Sequence, residues 1–141
     1  MSSCVFCQLL TDAHPVTWVA REEGAVAFLP LPNSALAPGH TLVAPTVHAL
    51  GVQDVPTDSL VSTMALVQRV SVAMRAALGA TGVNVLNASG PGSEQSVPHL
   101  HFHVVPRWGD DGFTTWPQGR STRTLAEDPA TALARALAPS I

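Results

Sequence analysis

Apolar residues occupy every second position at Leu100, Phe102 and Val104, and Val105 and Pro106 close the run. Strict alternation is the period of a β-strand, and Leu, Phe and Val suit a pleated, half-buried surface. The segment His99–Val105 therefore reads as a strand with those three residues toward a core. Two earlier runs, Val16–Arg21 and Ala25–Leu31, are rich in β-branched and aromatic residues and flank Glu22-Glu23-Gly24, which predicts a hairpin. Thr41–Ala44, after the Pro38-Gly39 turn, predicts a third strand, and "GVNVLN" (82–87) a fourth. From Asp58 the period lengthens. Leu60, Met64, Val67, Val70 or Ser71, Met74 and Leu78 recur at helical spacing, with Thr57 or Asp58 as cap and Gly79 as stop. A last short helix runs from Pro129 to Leu137 behind Asp128. A hairpin, a third strand, one long helix, two further strands and short terminal helices predict an α+β fold. Its antiparallel five-stranded sheet belongs to a single domain spanning residues 1–141.

The positions between the apolar residues of the fifth strand are His99, His101 and His103. On a strand they share one face, with successive attachments about 6.6 Å apart. Two of them could share one zinc ion. Three could not readily do so, because the outer pair is separated by roughly 13 Å of backbone, whereas Zn–N bonds are about 2 Å. A three-histidine metal cage is disfavoured. Since the chain has only six histidines, three in one alternating run still point to chemistry and not to an ordinary polar face.

Composition narrows that chemistry. All seven basic residues are arginine, so the chain has no lysine. That excludes Schiff bases, lysine nucleophiles and a Walker-type phosphate loop. A net charge of −3 without a basic run gives no electrostatic reason to expect nucleic acid as a partner. The N-terminal "MSSCVFCQLL" has no basic region ahead of its apolar run, and Leu60–Leu78 is interrupted by Gln68, Arg69 and Arg75. The expectation is a soluble, cytoplasmic protein with no membrane partner.

Cys4-x-x-Cys7 admits several readings. A disulfide is a poor staple at this spacing in a reducing compartment. A thioredoxin-like site needs a strand before the first cysteine. Zinc needs two further ligands, and reduced thiols without a metal remain open.

The segment "HLHFHVV" resembles the signature of the histidine triad (HIT) superfamily, three histidines separated by apolar residues. The resemblance extends to "CVFCQLL", "AVAFL", "APGHTLVAPTVH", the long helix, "NASGPGSEQSV" and the "PR" after the triad. It implies a HIT-like fold that binds a purine nucleotide and cleaves at its α-phosphate. The middle histidine, His101, would carry the nucleotidyl group as a covalent intermediate, with His103 and His99 as the other catalytic positions. Asn87, Gln95 and Ser96 match phosphate-binding positions, and Phe6, Leu9, Phe28 and Leu29 match the nucleoside pocket. Two departures stand out. Glu94 replaces the usual Gly before Gln, and Pro30 occupies a position where many members hold the ribose with an acid or amide, so Asn33 is the substitute offered. In some bacterial members with the CxxC motif the pattern implies a structural zinc, here on Cys4, Cys7, His48 and His99. The resemblance also implies a homodimer. His40 and His14 read as structural or solvent-exposed. Candidate substrates are nucleoside phosphoramidates, aminoacyl-nucleotides and dinucleoside polyphosphates. The competing classes are a non-catalytic nucleotide-binding signalling module and, more weakly, a metalloenzyme.

Overall fold

The computed structural model describes residues 3–139. Nine elements follow in order: α1 (Val5–Leu10), β1 (Trp18–Arg21), β2 (Ala25–Phe28), a 3-10 turn (Pro32–Ser34), β3 (Thr41–Pro45), α2 (Thr57–Leu78), β4 (Gly82–Leu86), β5 (Phe102–Arg107) and α3 (Pro129–Leu137). The strands form one sheet in the order β1-β2-β3-β5-β4, and every neighbouring pair is antiparallel. This is the α+β architecture expected, with one long helix and short ones near both ends.

Both faces of the sheet's centre are covered, so β2 and β3 are buried along their whole length. Ala25, Ala27, Val43, Phe102 and Val104 pack with Leu66, Val67, Val70 and Met74 of α2. Val26, Phe28, Leu42 and Ala44 point the other way and pack with Phe6 and Leu9 of α1. The alternation on β5 therefore sends Phe102 and Val104 to α2 and the triad histidines to the α1 side. That side is not a solvent face: His99 is 0% and His101 4% exposed. Regular pairing begins only at Phe102, so His99 and His101 lie just ahead of the ladder.

Several details differ from the sequence expectation, including the fifth strand, which spans Phe102–Arg107 and not His99–Val105. β2 ends at Phe28 and not Leu31, because Pro30 and Pro32 have no N–H to give a ladder. The first strand starts at Trp18, beside an irregularity in the register between Trp18 and Ala20. In α2 the buried stripe is Thr63, Leu66, Val67, Val70 and Met74, while Met64 and Leu78 are 40% and 45% exposed. Thr63 enters the core because its hydroxyl donates to the Ser59 carbonyl at 2.7 Å, which satisfies it within the helix. Neither Thr57 nor Asp58 caps α2, which starts directly after Pro56 with no side-chain cap. Gly79 does end it, at φ 68°, with its N–H on the Arg75 carbonyl. Asp128 caps α3 by accepting from the Thr131 N–H at 2.9 Å. Among the described residues no helix is long and apolar enough to cross a membrane.

Candidate functional site

The histidines are held by hydrogen bonds whose direction fixes where each proton sits. His101 Nδ1 lies 2.8 Å from the His99 carbonyl. A carbonyl only accepts, so Nδ1 carries the proton and the Nε2 lone pair is left bare. Asn87 donates from Nδ2 to the His101 carbonyl at 2.9 Å, fixing the backbone from the other side. Phe6 meets the His101 ring edge-on, with centroids 5.1 Å apart.

A second chain sets His103. The Leu36 N–H donates to His40 Nδ1 at 3.0 Å, so the proton of neutral His40 sits on Nε2. His40 Nε2 then donates to His103 Nδ1, also at 3.0 Å. His103 in turn keeps its own proton on Nε2. His101 thus offers a lone pair and His103 a donor, with ring centroids 5.0 Å apart. An unprotonated ring nitrogen and an N–H donor thus stand side by side, a pairing that nucleophilic transfer chemistry could use.

Burial pushes the His40, His99 and His101 pKa values below the ordinary imidazole range; for His101 the bond to the His99 carbonyl partly opposes this. His103 is driven down to about 4, first by burial and then by repulsion from His101 and His40. Neutral imidazoles at pH 7 fit the proton placement above, since a protonated His101 has no nucleophilic lone pair.

Both rings open on a cavity of about 360 Å³. Its polar lining comprises the clustered His40, His101 and His103 together with His14, Ser34 and Ser96; the other walls are apolar, among them Phe6, Leu9, Phe28, Leu29, Pro30 and Leu42. A largely apolar cavity that also holds a cluster of imidazoles suits an organic ligand with a polar or charged substituent.

The positions expected at the phosphates are divided by the structure. Ser96 lines the cavity. Gln95 turns into the loop, where Oε1 accepts from the Gly90 N–H and Nε2 donates to the Leu50 and Val97 carbonyls. Asn87, bonded to the His101 carbonyl, also accepts from the Ser89 hydroxyl. Both amides therefore shape the loop and strand around the site. Phe6, Leu9, Phe28 and Leu29 all line the cavity. Asn33 sits exposed in the 3-10 turn, and its neighbour Ser34 lines the cavity instead. Two histidines read as structural or exposed prove to face it, the buried His40 and the exposed His14. The signal for His40 was in the strand pairing. Leu42 stands opposite His103, and His40, two residues along, projects from the same face.

The third group lies behind the triad. Cys4, Cys7, His48 and His99 place one ligand atom each within 4.8 Å of one another. Cys4 and Cys7 Sγ are each 3.6 Å from His99 Nδ1, and Cys7 Sγ is 3.3 Å from His48 Nδ1. A tetrahedral zinc with ordinary Zn–S and Zn–N bonds separates such atoms by about 3.6 Å. His99 Nε2 lies 2.9 Å from the Pro45 carbonyl, so Nε2 holds the proton and Nδ1 presents a lone pair to the thiolates' side. The donor set fits a metal ion.

Comparison with known proteins supports this arrangement. The HIT domain family matches residues 12–110, a span that contains the triad but not the two cysteines. The chain is 33% identical over 127 residues to the protein hit of Bacillus subtilis, covering 89% of this chain and 83% of that one. It is 31% identical over 105 residues to an adenosine 5′-monophosphoramidase of Schizosaccharomyces pombe, covering 74% of each. A zinc-bound histidine triad protein of Mycobacterium smegmatis superposes with a TM-score of 0.75 at 32% identity, over 80% of this chain and 81% of that one. With the family match, these identities and the triad's geometry in agreement, the chain belongs to the HIT domain family.

Proposed function

We propose that the protein is a nucleotide hydrolase or transferase that cleaves at the α-phosphate through a nucleotidyl-His101 intermediate. The observation that carries this reading is the bare Nε2 of His101, held in that state by the Nδ1–H···O=C bond to His99, in a largely apolar cavity. For a phosphoramidate, Nε2 attacks phosphorus and the P–N bond to the leaving amine breaks. The amine departs with a proton from water at the cavity mouth. His103 donates its Nε2–H to a phosphate oxygen and Ser96 a second hydrogen bond, stabilising charge as it develops. Water then attacks phosphorus, the P–Nε2 bond breaks, the water's proton returns to solvent, and neutral His101 is restored. The sum is substrate plus water giving mononucleotide plus amine. The relative named as an adenosine 5′-monophosphoramidase favours a purine nucleoside phosphoramidate over aminoacyl-nucleotides and dinucleoside polyphosphates.

Incubation with a phosphorus-labelled nucleotide substrate, then acid-sensitive trapping of label on protein, tests the reading. Label on the wild type and none on His101→Ala is expected. Binding without label or turnover would instead favour a nucleotide-binding module. The metal in this reading is a structural zinc, since two thiolates and two imidazoles fill a tetrahedron and leave no position for substrate. The assembly is a homodimer. Val61 and Val72 on α2 are 62% and 66% exposed and Val85 on the edge strand β4 is 43% exposed, apolar surface that pairing would cover.

A further inference from the structure

The cavity can hold a phosphate and a flat base, but between them a ribose presents two hydroxyls that need partners to be recognised. We infer that this site does not select on the 2′-hydroxyl, so that 2′-deoxyribonucleotides are bound and processed about as well as ribonucleotides. The inference rests on the proposed nucleotide reading and concerns what lies between the imidazoles and the apolar walls.

Discrimination of a diol from its deoxy counterpart comes from a well-placed acceptor, most strongly a carboxylate, that is left unpaired when the hydroxyl is missing. Among the described residues the cavity wall has no Asp, Glu, Asn or Gln. Asp12 pairs with Arg21, Asp54 accepts from the N–H groups of Leu50 and Gly51, and Glu94 is exposed and outside the cavity wall.

The backbone N–H groups of the segment after Phe28 offer little to a ligand. The Leu29 N–H donates to the Thr17 carbonyl at 2.9 Å, and Pro30 and Pro32 have no N–H. The Ser34 N–H donates to the Leu31 carbonyl at 2.8 Å. Leu31, 73% exposed, adds only hydrocarbon at the rim. Apart from Ser96, the polar side chains left away from the imidazoles are Ser34 and His14, whose Nε2 lies 2.8 Å from Gln8 Oε1. Both side chains are exposed. A neutral bond in water's reach discriminates weakly, because water replaces it when the hydroxyl is absent.

The test compares adenosine 5′-phosphoramidate with its 2′-deoxy counterpart by kcat/KM, and AMP with dAMP by calorimetric binding, all on the full-length, metal-loaded wild type. The expected ribo-to-deoxy ratio is within about fivefold in both measurements, since only a charged or fully buried acceptor gives more than roughly tenfold. A larger ribose preference overturns the inference while the nucleotide reading stands. Binding of both monophosphates without turnover defeats the hydrolase reading but leaves the affinity ratio to decide the inference. If neither monophosphate binds, the nucleotide reading fails and the inference falls with it.

Discussion

His40 Nε2 lies 3.0 Å from His103 Nδ1, and this contact decides which nitrogen of His103 faces the cavity. The Leu36 N–H occupies the far side of the His40 ring, so the ring cannot exchange its two roles without losing a bond. A backbone amide in the 35–40 loop thereby fixes the tautomer of a triad histidine through one intervening ring.

Replacing His40 with Phe keeps a ring in place but removes the donor. His103 is then free to place its proton on Nδ1 and present a lone pair where a phosphate oxygen needs a hydrogen bond. kcat should fall at least about tenfold, the usual scale for losing a preorganised donor, with mononucleotide affinity changed much less. His40→Gln, which can both donate and accept, should recover part of the loss. Equal kcat for the two variants and the wild type would remove His40 from its positioning role.

Acid should destabilise the protein through the same cluster. In the native state His103 protonates only near pH 4, whereas in the unfolded chain it does so near 6.5. Between those values the unfolded state binds a proton that the native state does not, so stability rises with pH and is lost as pH falls from about 6.5 to 4. The lowered values of His40, His99 and His101 act in the same direction. His103 alone contributes roughly 2–3 kcal/mol across that window. Melting temperatures between pH 7.5 and 4.5 check this. A His103→Asn variant should give a shallower slope, and an unchanged slope would mean that the loss arises elsewhere.

How much of this was legible in the sequence follows from the range of each interaction. Alternation and helical spacing are local, so the strands, α2 and α3 could be read directly, and the Asp128 cap and Gly79 stop followed from their own backbone chemistry. The face of α2 was misjudged at Met64 because the neighbouring Leu66 and the self-bonded Thr63 compete for the same core. The resemblance supplied the cysteine–histidine set, which spans 95 positions of chain between Cys4 and His99 and which no local pattern could assemble. Gln95 and Asn87 were expected as phosphate-binding residues; the bonds they make to backbone groups depend on how two loops meet and could not be read locally. His40 was missed because its partner lies 63 residues away across a strand pairing.

Glu94 offers a test of the loop ahead of the triad. Among the described residues it is one of two non-glycines with positive φ, at 69°, in the place where the triad pattern usually has Gly. A side chain in that left-handed region costs about 1–2 kcal/mol, part of which Gly returns as greater freedom in the unfolded chain. Glu94→Gly should therefore stabilise the protein by up to about 1 kcal/mol, a rise in Tm on the order of 2–4 °C. Because Glu94 does not line the cavity, removing its carboxylate should not weaken ligand binding there. A lower Tm would show that the Glu94 side chain makes a contact worth more than its strain.

The last prediction concerns the metal group and its separation from the chemistry. The sulfur–nitrogen spacings of 3.3–3.6 Å already suit a tetrahedral ion, and a thiolate–imidazole set prefers zinc to magnesium. His99 joins the two sites covalently: its Nδ1 faces the cysteines, while its carbonyl accepts the His101 Nδ1–H. An ion would hold the His99 ring against the Pro45 carbonyl and pin α1, which carries Phe6 to the His101 ring. Its influence on turnover is thus indirect, through the position of one carbonyl and one aromatic ring. Cys4→Ser with Cys7→Ser should release about one zinc per chain, lower Tm, and leave reduced but measurable turnover, because the bond from His101 to the His99 carbonyl is made by backbone and survives. Elemental analysis of protein prepared without chelator or metal-affinity tag, followed by steady-state assays of the folded double variant, reads both outcomes. Negligible zinc in the wild type would defeat the site. Complete loss of turnover in a variant that still folds would place the metal closer to the phosphorus than this geometry allows.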